Sequence, residues 1–160
     1  MTTKHIARLP NGKTAKRVSQ SRSYPYAVIA QANRAHDEAA VLQRHEGHLR
    51  NWDYYAACAS TPLGEKIPGA NYPNDADAQE RGQEIVTEHP TRDAYAKALV
   101  KADLDRIAAN AAKGWYEEWQ AVTWTSRADL AAKELDKAQR PVWTGHPLRI
   151  NARIVETERS

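Results

Sequence analysis

Residues 24–35 read YPYAVIAQANRA, and they change character within a few positions. Tyr24 to Gln31 is rich in aromatic and β-branched residues, and alternation puts Tyr24, Tyr26 and Val28 on one face, which predicts a strand. Pro25 has no N–H for a ladder, so the run starts at a sheet edge or strand end. Asn33 then offers a side-chain oxygen to the free N–H groups of a following turn and predicts a helix to about Ala59. Leu42, His45, Leu49, Trp52, Ala56 and Ala59 step by three and four along one stripe, while Gly47 weakens its middle. The arrangement returns downstream. Trp115 to Thr125 reads as an aromatic strand. Ser126-Arg127-Ala128-Asp129 then has the form of a capping box with Asp in place of Glu, opening a helix to about Gln139 that buries Leu130, Ala131, Leu135 and Ala138.

Upstream, Ile6 to Val18 surrounds Pro10-Asn11-Gly12-Lys13, and Asn-Gly is the preferred pair of a two-residue type I′ turn. That turn pairs Pro10 with Lys13 and Arg8 with Ala15. Ile6, Arg8, Lys13, Ala15 and Arg17 then share a solvent-facing basic side, opposite Ala7, Leu9, Thr14, Lys16 and Val18. Residues 60–75 are rich in Pro, Gly and Asn and predict a long loop. A short acidic helix follows from Ala76 to Glu88, ended by Pro90. A longer one runs from Thr91 to Lys113, with Tyr95, Leu99, Ala102 and Ile107 inward and Gly114 just past its end. Leu148 to Val155 alternates, with Leu148, Ile150, Ala152 and Ile154 inward and Arg149, Asn151 and Arg153 outward. Glu156 to Ser160 reads as a solvated tail.

The order β-β-β-α, insertion, α-β-α-β predicts one α+β domain over residues 1–160. Its mixed, mainly antiparallel sheet has about five strands, with helices on one face and residues 60–90 as a loop and short-helix insertion. A chain of 160 residues is long enough to bury its own core without a disulfide or metal staple. The single cysteine, Cys58, reads as a buried thiol and suits a reducing cytoplasm. No signal-like segment opens the chain and no apolar run reaches membrane-spanning length, so no membrane partner is expected.

Residues Arg17-x-Ser19-x-Ser21-Arg22-Ser23-Tyr24-x-Tyr26-Ala27-Val28, with Trp124-x-Ser126-Arg127-x-Asp129-Leu130-Ala131-x-Lys133, resemble small proteins encoded by phages, plasmids and prophages of GC-rich bacteria. The resemblance covers about a quarter of the chain and brings no catalytic residues with it. It implies an accessory factor in a bacterial cytoplasm that binds host nucleic acid or a host protein.

Charge points the same way. The first thirty-six residues hold seven basic side chains and no acidic one; against a chain total of +3 this leaves −4 for the remainder. A basic hairpin can neutralise phosphates, and rings beside it can stack on unpaired bases. The expected contact residues are Arg8, Lys13, Lys16, Arg17, Arg22, Tyr24 and Tyr26, extended by Arg149 and Arg153 on the last strand, with Trp124 a further ring. The competing reading is a basic half balancing an acidic half within one soluble domain. The expected partner is nucleic acid, or else an acidic host protein gripped by the same patch or by Ile67 and Tyr72 of the loop, as in an inhibitor of a defence complex. A bare sheet face or edge would favour a homodimer.

No nucleophile elbow, phosphate loop or zinc spacing occurs, so the sequence predicts a non-enzymatic binding protein without a cofactor. His45 and His48 lie three apart on the helix that also carries His36, but no third ligand is visible and no metal site is expected. Adjacent Glu117 and Glu118 would face opposite sides of a strand and cannot work as a pair. The remaining reading, an enzyme, places a cleft under the 60–75 loop near Asp53, Tyr55 and His48.

Overall fold

The computed structural model describes residues 1–160 and divides them into two compact units, residues 1–39 with 107–160, and residues 40–106. The protein is α+β. Its strands are β1 (Thr3–Arg8), β2 (Thr14–Ser19), β3 (Tyr26–Ala32), β4 (Trp119–Thr125) and β5 (Arg149–Arg159). Its helices are α1 (Arg34–Ser60), α2 (Ala76–Glu88), α3 (Arg92–Ala112) and α4 (Ala128–Gln139), and no helix is long and apolar enough to cross a membrane.

The sheet lies in the first unit in the order β2-β1-β5-β3-β4, and every pairing is antiparallel. β3 is flanked on both sides, and Ala27, Val28, Ile29 and Ala30 are all buried. That explains its unbroken apolar run, because both faces are covered. The strand begins directly after Pro25. α4 packs against β3, β4 and β5, with Ala131 fully buried.

β5 departs from the expected half-buried strand with a loose tail. It continues to Arg159, pairs His5, Ile6 and Ala7 with Arg159, Glu158 and Thr157, and sits at the centre of the sheet. Even Ser160 exchanges backbone hydrogen bonds with Lys4, at 2.9 and 3.2 Å. Unsatisfied strand edges make this pairing favourable whatever the polarity of the side chains.

The hairpin turn also differs. Gly12 has φ 82° and Asn11 does not share the positive φ that a type I′ turn requires of both residues. Gly12 N donates to Leu9 O at 3.0 Å, and Leu9 N to Lys13 O at 2.9 Å. This is a type I turn with Pro10 and Asn11 at its corners, followed by a glycine bulge. Proline suits the first corner and has no N–H for the ladder position that the shorter turn would give it. The register therefore pairs Arg8 with Thr14 and Ala7 with Ala15. A slip of one residue turns β2 over relative to β1.

The helix caps follow the sequence closely. Asn33 Oδ1 accepts from Ala35 N (3.1 Å), Asp75 Oδ1 from Ala78 N (2.8 Å) and Thr91 Oγ1 from Ala94 N (3.2 Å), while Gly114 is left-handed at φ 74°. α4 is the exception. Arg127 holds the cap position with no side-chain cap, and it pairs with Asp129 at 2.9 Å. Residues 115–117 form a single 3-10 turn, so Glu117 and Glu118 precede β4.

In the second unit the long loop is packed. Ile67 is fully buried, and Asn74 Nδ2 donates to Cys58 O and Thr61 O at 2.8 and 2.7 Å. Cys58 is buried as expected. The inward sides of the helices are less regular than their sequence stripes. Leu42 and Leu99 are exposed, while Val41, Ala96 and Val100 are buried.

Candidate functional site

The one-residue slip redistributes the predicted basic surface. Arg17 falls opposite His5, on the face of Ala7, whereas Lys16 falls opposite Ile6, on the face of Arg8. Arg8 is already neutralised: its guanidinium donates twice to Glu158, at 2.8 and 3.2 Å. That hydrogen bond, with the charge behind it, holds the Glu158 carboxyl below its usual range and raises Arg8 above its own. Lys13 lies at the turn.

Arg149 and Arg153 do not share a face either. β5 has a bulge at Asn151, which adopts φ 56°, and the partners step from Ile29↔Arg153 to Gln31↔Ile150. One extra residue reverses the alternation. Arg149 Nη1 donates to Gln120 Oε1 at 2.6 Å, while the Arg153 guanidinium lies 4.6 Å from the Trp119 ring centre.

What converges is the connector between β2 and β3. Ser19 Oγ accepts from Arg22 N at 2.9 Å, and the Arg17 guanidinium lies 4.8 Å from the Tyr24 ring centre. The far edge of this stack is His5, 5.5 Å from Tyr24 and perpendicular to it. The connector is tied to the end of β5: Arg159 donates to Ser23 Oγ, Thr157 Oγ1 donates to Tyr24 O, and Thr157 N donates to Pro25 O at 2.9 Å.

Two clefts share Arg22 and Ser23 in their walls. The larger, about 560 Å³, is lined by Arg22, Ser23 and Tyr24, by β4 residues including Trp124, and by Leu130 and Glu134 of α4. The smaller, about 170 Å³, is lined by Thr3, Gln20, Ser21, Arg22, Ser23 and Arg159. The first is walled by rings and an aliphatic chain, the second by hydroxyls, an amide and two guanidinium groups. The ion pairs of the molecule include none of Arg17, Arg22 and Arg159.

Of the nine residues expected to bind, the structure therefore gathers Arg17, Arg22 and Tyr24 here. Tyr26 is half-buried in β3, opposite Thr125 and Glu156. Arg159 and Glu134 were missed. Arg159 continues the alternation of the last strand, a signal present in VETER, but Glu134 carries none in the sequence.

The other candidates are placed differently. A cleft of about 390 Å³ is lined by Tyr54 and Tyr55 together with Asp75, Asp77, Ala78 and Arg81, but not by Asp53, which Arg92 holds at 2.7 Å, nor by His48, which packs edge-on against Tyr95. Tyr54 shares a hydrogen bond of 2.8 Å with Tyr72, which raises its phenol above the ordinary value. His36 is buried and bonded to Thr144 Oγ1 at 2.8 Å. Comparison with known protein families, curated proteins and solved structures finds no match.

Proposed function

We propose that this protein binds single-stranded nucleic acid at the paired clefts around Arg22. The observation that carries the reading is the position of Arg22, outside every ion pair and common to a ring-lined cleft and a hydroxyl-lined one. A nucleotide has the same two parts. An unpaired base stacks on aromatic side chains, each stack contributing about 1–3 kcal/mol. A phosphate takes hydrogen bonds from guanidinium and hydroxyl groups. The larger cleft has the size of small-ligand pockets. A base lodged against Tyr24, Trp124 and Leu130 must be out of a duplex, which favours single strands. An acidic protein partner would satisfy the arginines but would leave the rings without a flat group to stack on.

The test is fluorescence anisotropy of labelled 12-mers, single- and double-stranded, DNA and RNA, at low salt. Single strands are expected to bind more tightly than duplex and to quench tryptophan emission. Arg22→Ala is expected to weaken binding about tenfold, the loss of one charge-assisted contact. Absence of binding to any of the four would overturn the proposal.

A further inference from the structure

Glu134 is the one acidic residue in the wall of the larger cleft. It lies one helical turn beyond Leu130 on α4, so both side chains leave the same face of the helix. Glu134 is half-buried, and it belongs to none of the ion pairs although Arg22 lines the same cleft. A carboxylate in a cleft meant only for phosphate would repel its ligand. In a cleft that holds a base it has a different effect.

Of the other lining residues, Ser23, Tyr24, Thr123, Thr125 and Ser126 carry hydroxyls and Arg22 and Trp124 carry donors only, so Glu134 is the one side chain of the cleft that accepts without donating. A hydroxyl both donates and accepts, and so accommodates any base edge. An ionised carboxylate only accepts. Cytosine, adenine and guanine each present an exocyclic amino group to such an acceptor. Thymine and uracil present carbonyl oxygens on both sides of a single N–H, and these oxygens face the carboxylate with like partial charge. Rejection of this kind is discrimination by an unfavourable contact.

We infer that Glu134 makes the cleft selective for bases bearing an exocyclic amino group, against thymine and uracil. The inference rests on the single-strand reading above and names the chemistry that the same site recognises.

The experiment uses the full chain and three labelled probes, dC12, dA12 and dT12, titrated at one salt concentration against wild type and Glu134→Gln. In wild type, dC12 and dA12 are expected to bind about five- to tenfold more tightly than dT12. In Glu134→Gln the ratios are expected to fall towards one, because a carboxamide also donates and can meet the thymine oxygens. The variant ratio supplies the baseline set by strand stacking and flexibility. Wild-type binding of dT12 as tight as that of dC12 and dA12 would overturn this inference and leave the single-strand reading standing. So would a preference as large in Glu134→Gln as in wild type. Failure of all three probes to bind wild type would overturn both.

Discussion

His5 is a histidine with no exposed surface and no protein partner for either ring nitrogen. A neutral imidazole always carries one N–H, so burial leaves a donor unmatched, at a cost of about 1–3 kcal/mol. Its contact is with the Tyr24 edge, and it helps fix the ring that faces the larger cleft. His5→Leu removes the unmatched groups and keeps an apolar side chain of similar size. It is expected to raise stability in urea unfolding by about 1 kcal/mol; a loss of stability would show that the ring nitrogens are satisfied in the folded protein. Pro10 and Asn151 show how single residues move a surface. Each sits at a bulged irregularity, and each reverses which side chains share a face: Lys16 and Arg17 in one case, Arg149 and Arg153 in the other. An Asn-Gly pair is readable in sequence. Whether the turn closes over two residues or three depends on the ladder that flanks it.

Secondary elements were legible where the chain carries local punctuation. Asn33, Thr91 and Gly114 act on backbone groups a few residues away, so their effect is complete in the sequence. The buried sides of α1 and α3 were less so, since burial depends on what lies opposite, and Leu42 and Leu99 face water. α2 shows the same dependence in reverse. Gly82 lowers the helix propensity of a short helix, yet it is buried, and an added Cβ would meet the backbone oxygen of Tyr55 and lie 2.8 Å from Ala59 N and 3.0 Å from Cys58 Cβ. The glycine lets α2 lie backbone to backbone on α1. Gly82→Ala improves helix propensity by about 1 kcal/mol and still has to push two helices apart. The expected net effect is a loss of about 2 kcal/mol, read as a lower midpoint in urea unfolding. A neutral or stabilising result would mean that the two helices separate easily.

In the molecule as a whole, the first unit depends on its last residues. The C-terminal strand is the central one, and β1 joins β3 only through it. Removal of residues 156–160 takes away the whole β1–β5 pairing and the Glu158 partner of Arg8. The hairpin is then a two-stranded ribbon, marginal in water. Amide hydrogen exchange in residues 3–8 and 14–19 is expected to rise to that of an open chain; retained protection in the truncated protein would refute this account. Binding through Arg17, Arg22 and Arg159 also has a whole-molecule signature. Of these, Arg22 and Arg159 line the smaller cleft, and two phosphate contacts on a single strand give log K against log salt a slope of about −1.4. By itself the sequence determined the α+β class, most element boundaries, the caps at Asn33, Thr91 and Gly114 and the excess of positive charge near the start, because propensity, periodicity and capping act within a few residues. Tertiary structure decided which of those charges remain free, which strand lies at the centre, and that Arg22, Arg159, Trp124 and Glu134 border shared clefts. Register, bulges and strand order join positions more than a hundred residues apart in some cases, and no local pattern carries that information.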